Sequence, residues 1–285
     1  MQTLVCGKTK QIKMDSDGVF TIIGEKINPT GRKKLAAALQ EGDLEYVKQL
    51  ASNQLSAGAD ILDVNVGVPG LDEETLLPKV VTMLVEAFDV PFCLDSANPK
   101  ALARALPITP GRPLVNSVNG KAESLAAILP LVRERGASVI GLTMDEQGIP
   151  KDADGRVKIA GKILETAAKY GIPPEDVVID PLVLTVGAES LAGMVTLETI
   201  QRVRTEFEVN INVGASNVSY GLPERDTLNA AFLALTIGAG ASCAITDPIK
   251  FTRVLRAVDL LRGRDGYAMR YVKYCRAHPV EKSGG

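Results

Sequence analysis

The sequence predicts an α/β protein, a (β/α)8 TIM barrel with a short N-terminal hairpin and an extra C-terminal helix. Short β-rich apolar segments alternate along the chain with longer amphipathic ones, which is the pattern of repeated βα units around a parallel sheet. Eight such units can be counted, the number that closes a barrel. A chain of 285 residues with 46% hydrophobic content is also long enough to bury one large barrel core.

The eight predicted strands are separated by helical patterns, several of which end at a glycine, as a left-handed C-terminal residue favours. An open doubly wound sheet is the alternative fold, but no G-x-G-x-x-G motif follows the first strand segment, "TIIG". The predicted strands cover residues 21–27, 59–67, 91–96, 113–119, 138–144, 176–182, 209–216 and 242–247. The clearest helical patterns are "DLEYVKQLASNQLSAG", "ESLAAILPLVRERG", "AGKILETAAKYG" and "LETIQRVRTEF".

The two chain ends are predicted to extend this barrel. Within residues 1–20, "TLVCG" and "QIKMD" predict a hairpin that closes the lower end of the barrel. Residues 264–285 predict a last helix and a frayed tail, "EKSGG". We therefore expect residues 1–285 to form a single barrel domain.

Charge and hydropathy exclude several classes of partner. The formal net charge of -2 and the sequence pI near 5.7 give no basic excess for nucleic acid or an anionic membrane surface. No segment approaches the roughly 18 apolar residues that a spanning helix needs, and the N terminus lacks the apolar stretch of a secretory signal. We expect a cytoplasmic protein.

The cysteines and the single histidine restrict the chemistry. Cys6, Cys93, Cys243 and Cys275 lie far apart without a C-x-x-C pair, which argues against a disulfide framework and a structural zinc site. We expect no bound metal. His278 is the only histidine and lies near the tail, so proton chemistry must use carboxylates, amides, tyrosines, lysines or the substrate itself.

Polar residues recur at the C-terminal ends of the predicted strands, where barrel enzymes place their active sites. Asp and Asn are poor strand residues, and an unpaired buried carboxylate is costly, so their convergence predicts a ligand rich in hydrogen-bond donors. Each residue taken alone could instead cap a helix or close a turn, most readily Asn119 and Asp247. The strand-end residues are Glu25, Asn28, Asp63, Asn65, Asp95, Asn116, Asn119, Asp180, Ser216, Asn217 and Asp247.

The stretch "NVGAS" after the seventh strand indicates the shape of that ligand. Its small residues, Gly214 among them, would let a flat ring approach the backbone closely, although they could also serve packing in a tapered barrel. A 2-amino-4-oxo-pterin fits these requirements. Its amino and ring N–H groups can donate to Asp and Asn oxygens, while Asn side chains donate back to its carbonyl.

Seven motifs, taken in order, resemble those of the methyltetrahydrofolate:corrinoid protein methyltransferases. This family shares a pterin-binding barrel with dihydropteroate synthase and with the folate module of cobalamin-dependent methionine synthase. The resemblance runs through most of residues 21–250. The motifs are "IIGEKINPTGRKK", "LDVNVG", "CLDSANP", "VNSVNG", "IGLTMDEQGIPKD", "VIDPL" and "GASNVSYGLPER".

The resemblance implies roles for individual residues. Asn217 would lie closest to N5, the nitrogen that carries the methyl group, and Asp95 would assist it through a water, so these two are the expected catalytic residues. Lys26, Arg32 and Arg225 are candidates for the p-aminobenzoyl-glutamate tail, or are solvated surface charges. The expected substrate-binding residues are Glu25, Asn28, Asn65, Asp95, Asn116, Asp180, Gly214, Ser216 and Asn217.

The resemblance also implies the reaction. The N5-methyl group would move between methyltetrahydrofolate and the cobalt of a corrinoid (cobalamin). The sequence contains no D-x-H-x-x-G motif that would supply a cobalt ligand, so the corrinoid should arrive on a partner protein. That partner would dock on "VPGLDEETLLP" and "SYGLPERD", and a homodimer is typical of the family.

Three alternatives stay open. A dihydropteroate synthase should carry an arginine-histidine pair after the eighth strand, where this chain has "AITDPIKFTR". A noncatalytic folate-binding protein would bind pterin without transferring a methyl group. A Schiff-base aldolase would need a lysine inside a strand; Lys26 ends the first strand beside Glu25, where an ion pair between the two is the simpler interpretation.

Overall fold

The computed structural model describes residues 1–279 and confirms the predicted (β/α)8 barrel. A two-stranded antiparallel hairpin, β1 (Gln2–Cys6) and β2 (Gln11–Asp15), precedes the barrel. Eight parallel strands follow within the described residues: β3 (Thr21–Ile27), β4 (Ile61–Val64), β5 (Phe92–Asp95), β6 (Leu114–Asn119), β7 (Ser138–Leu142), β8 (Val177–Asp180), β9 (Asn212–Gly214) and β10 (Cys243–Thr246).

Helices surround these strands. They are α1 (Lys33–Glu41), α2 (Leu44–Ser56), α3 (Glu73–Ala87), α4 (Pro99–Ala105), α5 (Ala122–Arg135), α6 (Ala153–Lys169), α7 (Ala192–Phe207), α8 (Arg225–Ala239), α9 (Pro248–Leu261) and α10 (Met269–Ala277). The large apolar core lies between the strands and these helices. In the part of the chain that the structure describes, no helix is long and apolar enough to cross a membrane.

The strands pair in the order β8-β7-β6-β5-β4-β3-β10-β9. A parallel bridge between Ile179 and Ile211 joins the two ends of this order, and the Ile179 N–H donates to the Asn210 carbonyl at 2.9 Å. The sheet therefore returns on itself as a nearly closed barrel, which removes the exposed edges that an open sheet would leave.

The element bounds differ from prediction mainly at strand ends. The seventh barrel strand spans only Asn212–Gly214 instead of 209–216, because a 3-10 turn over Ala215–Asn217 takes up its predicted end. Helix α6 begins at Ala153, seven residues before the apolar pattern, where the Asp152 side chain accepts from the Gly155 N–H at 2.7 Å. This acidic cap starts the helix earlier than apolar periodicity indicates.

The N-terminal hairpin closes the lower end of the barrel, as predicted. Val5 and Met14 are fully buried and pack against a layer of inward-facing strand residues. Asn210 fastens the hairpin because its Nδ2 donates to Thr3 Oγ1 at 2.9 Å and to the Met14 carbonyl at 3.0 Å. The hairpin thus supplies apolar side chains that the open floor of the barrel would otherwise lack.

The extra C-terminal helix is present as α10. His278, just after it, stacks on Tyr274 and lies 2.9 Å from the Ser56 carbonyl through Nε2, so it ties this helix to the end of α2. The predicted tail "EKSGG" lies outside the described residues.

A β-bulge in β3 sets the direction of its last residues. Between β3 and β4 the register advances from Gly24↔Leu62 to Ile27↔Val64, so β3 contains one extra residue. The Gln54 side chain of α2 reaches into the bulge, and its Oε1 accepts from the Lys26 N–H at 2.8 Å. A Cβ on Gly24 would lie only 2.5 Å from Gln54 Oε1, so this close approach requires glycine.

Replacing the fully buried Gln54 by Ala should leave the Lys26 N–H without its acceptor in a partly buried bulge. We expect a loss of about 1–3 kcal/mol in the free energy of unfolding, measured by urea denaturation. Gln40→Ala, at an exposed position of α1, is the matched control and should change stability by less than about 0.5 kcal/mol. Equal effects of the two substitutions would contradict this role of Gln54.

Candidate active site

A two-residue alternation directs polar side chains into the upper part of the barrel. Side chains on a strand point alternately to its two faces, so residues two apart share a face. The buried floor cluster includes Ile23, Ile61, Cys93, Leu114, Val178 and Cys243. The residues two positions later on those strands are Glu25, Asp63, Asp95, Asn116, Asp180 and Ile245. A layer rich in carboxyl and amide groups therefore lies directly above an apolar floor.

A cavity of about 780 Å³ opens at this end of the barrel. Its size suits a small-molecule site. Of the predicted site residues, Glu25, Asn28, Asn116, Asp180, Gly214, Ser216 and Asn217 line it, whereas Asn65 and Asp95 lie outside its lining. The predicted tail-binding residues Lys26, Arg32 and Arg225 also line it.

Asp180 is held at the end of β8 by two donors. Its Oδ1 accepts from the Leu182 N–H at 2.8 Å, and its Oδ2 accepts from Asn212 Nδ2 at 2.6 Å. Burial raises the pKa of Asp180 to about 6, although these hydrogen bonds and the Arg156 charge act in the opposite direction. Asn212 is fully buried and was not expected at the site, although it lies between the apolar residues Ile211 and Val213 of its strand.

Asp63, Asp95 and Asn116 form a second polar group on the neighbouring strands β4, β5 and β6. Asn116 Nδ2 donates to Asp63 Oδ1 at 3.3 Å, and the side chains of Asp63 and Asp95 are hydrogen-bonded to each other. Burial raises the pKa of Asp95 to about 6, while a hydrogen bond from Asn65 lowers it. Burial, and next the charge of Asp95, raise the pKa of Asp63 well above its ordinary value.

Glu25 is already engaged by its neighbours. Ser216 Oγ donates to its Oε2 at 2.8 Å, and Arg32 Nη2 donates to its Oε1 at 3.1 Å. Arg32 also donates to the Glu25 carbonyl at 2.8 Å, so it supports the first strand end from two sides. Asn28 closes a turn, because its Oδ1 accepts from the Thr30 N–H at 3.0 Å.

The predicted ion pair between Lys26 and Glu25 is wrong. Lys26 instead pairs with Asp247, 2.5 Å from Nζ to Oδ2, while the Glu25 carboxylate accepts from Arg32 and Ser216. Asp247 also caps α9, since its side chain accepts from the Ile249 N–H at 3.1 Å. Asn119 accepts from the Lys121 N–H at 2.9 Å, so both residues have the turn or capping contact considered for them.

Asn217 differs from the other amides of the site. It is exposed at the rim, and within residues 1–279 its side chain makes no hydrogen bond. A Cβ on Gly214 would lie 3.3 Å from Asn217 Nδ2, so the glycine leaves room for this amide above the cavity. Arg225 holds the turn below it by donating from Nη2 to the Ser216 carbonyl at 2.8 Å.

Arg156 fixes the loop that follows Asp180. Only 1% of this residue is exposed, and its guanidinium donates to the carbonyls of Pro150, Pro181 and Leu182 at 3.0, 3.0 and 2.8 Å. Leu182, which lines the cavity, has a φ of 60°, a backbone conformation that needs such support. Arg156 lies four residues before the apolar helix pattern that begins at Ala160, and its charge gives no sign of burial.

Within the described residues, no group of three or more His, Cys, Asp or Glu side chains is arranged to hold a metal ion. The acids of the site are instead paired with amides, backbone N–H groups and one another. What this arrangement offers a ligand is a set of hydrogen-bond acceptors above an apolar floor, with a free amide at the rim.

Comparison with known proteins agrees with that geometry. Residues 24–247 match the family model of pterin binding enzymes. The chain belongs to the pterin-binding enzyme family. A methylcorrinoid:tetrahydrofolate methyltransferase from Eubacterium limosum is 30% identical to it over 90% of this chain and 96% of that protein. The methionine synthase of Mycobacterium tuberculosis (strain ATCC 25618 / H37Rv) is 31% identical over 84% of this chain, which spans 21% of that longer protein.

The methyltransferase from Eubacterium limosum aligns with this chain over nearly the whole length of both proteins. The chain is accordingly a methyltransferase. Solved structures show the same barrel at lower identity. Yersinia pestis dihydropteroate synthase with a pterine-sulfa conjugate aligns with a TM-score of 0.71 and 19% identity, covering 92% of this chain and all of that one. Xanthomonas albilineans dihydropteroate synthase with 7,8-dihydropteroate gives 0.65 and 20%, over 88% and 95%. At these identities the likeness establishes the fold.

Asp180→Asn should change how stability depends on pH. Because burial raises the folded-state pKa to about 6, the native state takes up a proton more readily than the unfolded chain does. This contribution is present below about pH 4 and is lost as the pH rises through about 6, by roughly 2–3 kcal/mol. The variant should therefore gain stability relative to wild type between pH 4 and pH 8 in urea unfolding. Parallel curves for the two proteins would contradict the assignment.

Proposed function

We propose that this enzyme transfers the N5-methyl group between methyltetrahydrofolate and the cobalt of a corrinoid carried by a partner protein. The observation that carries the proposal is the acceptor-rich rim of Asp95, Asn116 and Asp180 in a chain that matches a methylcorrinoid:tetrahydrofolate methyltransferase over 90% of its length. A cytoplasmic location, a homodimeric state and a single domain over residues 1–285 belong to the same proposal and rest on composition and family resemblance.

The pterin edge would face the buried acceptors. Its 2-amino group and ring N–H groups are donors, and Asp180 and Asn116 line the cavity with oxygens to receive them. Asp95 lies one strand further around the barrel, opposite Asn116 in the register of β5 and β6. The apolar walls that complete the cavity, including Leu142 and Ile245, would contact the ring faces.

Methyl transfer requires help at N5. In the forward direction the C–N5 bond breaks, its electron pair stays on nitrogen, and the methyl carbon bonds to the Co(I) of the corrinoid substrate. An amine anion is a poor leaving group, so N5 must be protonated or hydrogen-bonded as the bond breaks. Asn217 would supply this hydrogen bond because its exposed amide is free to turn toward N5.

The partner would dock over the loops after β8 and β9. These loops are joined by a hydrogen bond from the Val186 N–H to the Val218 carbonyl at 3.0 Å. Leu191 and Met194, at the start of α7 after the first of these loops, are large apolar side chains that are 68% and 65% exposed. "VPGLDEETLLP", the other expected contact segment, is a loop only in its first half, because α3 begins at Glu73.

The rival activities lack support in the site. Dihydropteroate synthase needs positively charged side chains after the eighth barrel strand to bind its anionic leaving group. Arg253 of that segment instead donates to Cys275 Sγ at 3.3 Å and to the His278 carbonyl, so it binds the C-terminal helix. An aldolase would need a free strand lysine, and Lys26 is paired with Asp247. A noncatalytic folate binder is distinguished by the first experiment below.

Asn217→Ala should reduce turnover far more than folate binding. Loss of a hydrogen bond that strengthens in the transition state lowers kcat by about 100-fold, whereas the dissociation constant for methyltetrahydrofolate should change by about threefold or less. The assay follows loss of cob(I)alamin and growth of methylcobalamin anaerobically by visible spectroscopy. Asn53→Ala, at an exposed position of α2, is the control.

An Asn217→Ala enzyme as fast as wild type would remove this residue from the mechanism. Saturable binding of methyltetrahydrofolate without transfer to free cobalamin or to any corrinoid protein would favour the noncatalytic binder. Absence of both binding and transfer would reject the pterin site.

Leu191→Glu and Met194→Glu should impair transfer only when the corrinoid is protein-bound. For a corrinoid protein that the wild-type enzyme methylates, kcat/KM should fall about tenfold or more, since charge placed in an apolar contact opposes docking. With free cob(I)alamin the rates should stay within about twofold of wild type. Leu261→Glu, 86% exposed at the far end of α9, is the control. Equal losses with both acceptors would contradict this docking surface.

A further inference from the structure

Asp63 is a buried carboxyl to which the proposed mechanism gives no role. Only 1% of this residue is exposed, and it lies on β4, opposite Cys93 in the register of β4 and β5. Its carboxyl group is hydrogen-bonded to two residues expected to bind the pterin, Asn116 on β6 and Asp95 on β5. Within residues 1–279 no lysine or arginine forms an ion pair with Asp63 or Asp95.

The hydrogen bond between the two carboxyl groups requires a proton. Two ionised carboxylates have only acceptor atoms and repel each other, so a direct contact between them holds only when one is protonated. Asn116 Nδ2 donates to Asp63 Oδ1 at 3.3 Å, and the same carboxyl group is hydrogen-bonded to Asp95. A protonated Asp63 fits these contacts: its O–H donates to Asp95 and its carbonyl oxygen accepts from Asn116, and the Cys93 thiol is hydrogen-bonded to the same carboxyl group.

We propose that Asp63 carries a proton at neutral pH and is the positioning residue that fixes both Asp95 and Asn116 as hydrogen-bond acceptors toward the cavity. Asp95 stays ionised because it receives the Asp63 proton in a hydrogen bond. Asn116 uses its NH2 group on Asp63, so its carbonyl oxygen is left for a ligand. The proton on Asp63 thereby favours a ligand whose edge donates hydrogen bonds to both the Asp95 carboxylate and the Asn116 carbonyl oxygen. The inference rests on the proposed function and deepens it.

The surroundings of the pair favour the retained proton. The groups that face it are Glu25 on β3, Glu73 at the start of α3 and Cys93 on β5, and each would be negative if ionised. Asn65 and Asn116 are neutral. Burial and these neighbours raise the pKa of Asp63 well above its ordinary value and that of Asp95 to about 6, in agreement with one proton shared by the pair.

The test compares Asp63→Asn with Asp63→Leu across pH 6 to 9.5. Asparagine reproduces the contacts of a protonated aspartate, since its NH2 group donates to Asp95 and its oxygen accepts from Asn116, but it cannot release the proton. In wild type, loss of the proton should weaken methyltetrahydrofolate binding by up to about tenfold per pH unit above the midpoint. Asp63→Asn should bind methyltetrahydrofolate within about threefold of wild type at pH 7. It should not show the loss of affinity at high pH, which we call the alkaline limb of the binding profile. Asp63→Leu should bind at least about tenfold more weakly at every pH.

Two further measurements separate this role from a merely structural one. The infrared spectrum of wild type in D2O should contain a protonated carboxylic acid band that disappears with the alkaline limb and is absent from Asp63→Asn. Asp60→Asn, three residues earlier at the lower end of the barrel and paired with Arg256, should keep wild-type binding, pH profile and infrared band. Circular dichroism and urea unfolding establish that each variant folds.

An Asp63→Asn profile that keeps the wild-type alkaline limb, or a wild-type spectrum without the acid band at pH 7, would overturn the proposal. These readouts need folate binding or the protein alone, not methyl transfer. If transfer to cobalamin fails while the band and the binding profile behave as expected, the proposed reaction is wrong and the role of Asp63 stands.

Discussion

The burial of carboxyl groups in the mouth of a parallel barrel is the constraint on which the rest of this structure depends. Each strand delivers one side chain in two to the interior, and the layer above the apolar floor contains Asp63, Asp95 and Asp180. A buried carboxylate costs several kcal/mol unless it is hydrogen-bonded or neutralised. The neighbouring strands must therefore supply donors, and the positions of those donors decide what the cavity can bind.

Two different solutions to this constraint lie on opposite sides of the barrel. The negative charge of Asp180 is stabilised by hydrogen bonds from Asn212 and the Leu182 N–H and by the nearby positive charge of Arg156. On the other side, the contact between Asp63 and Asp95 is one that a shared proton satisfies. The first arrangement depends on a loop held by Arg156 in an unusual conformation at Leu182, and the second depends on strand register alone. The second should accordingly be the more rigid.

The sequence predicts the barrel well because each strand has its own apolar segment. The hairpin, the eight strands and the rim residues follow from local sequence patterns alone. The side-chain hydrogen bonds between elements do not follow from such patterns. Gln54 comes from a helix, Asn212 from a neighbouring strand and Arg156 from the start of another helix, and all three act on groups distant in sequence. The Lys26 pairing was predicted wrongly because its partner, Asp247, follows the neighbouring strand β10 and is distant in sequence.

The division of the rim into a fixed side and a free side bears on how one site could serve the two proposed substrates, the folate and the corrinoid protein. Asp180, Asn116 and Asp95 are held by protein contacts and would bind a flat ring edge without rearrangement, which limits the entropy lost on binding. Asn217 lies at the open side, beside the loops whose apolar residues Leu191 and Met194 are exposed. The proposed corrinoid protein would have to approach from that side, because the hairpin closes the floor. The amide nearest the reacting nitrogen would then be the one that the second substrate covers, so its hydrogen bond would strengthen as water is excluded from the complex.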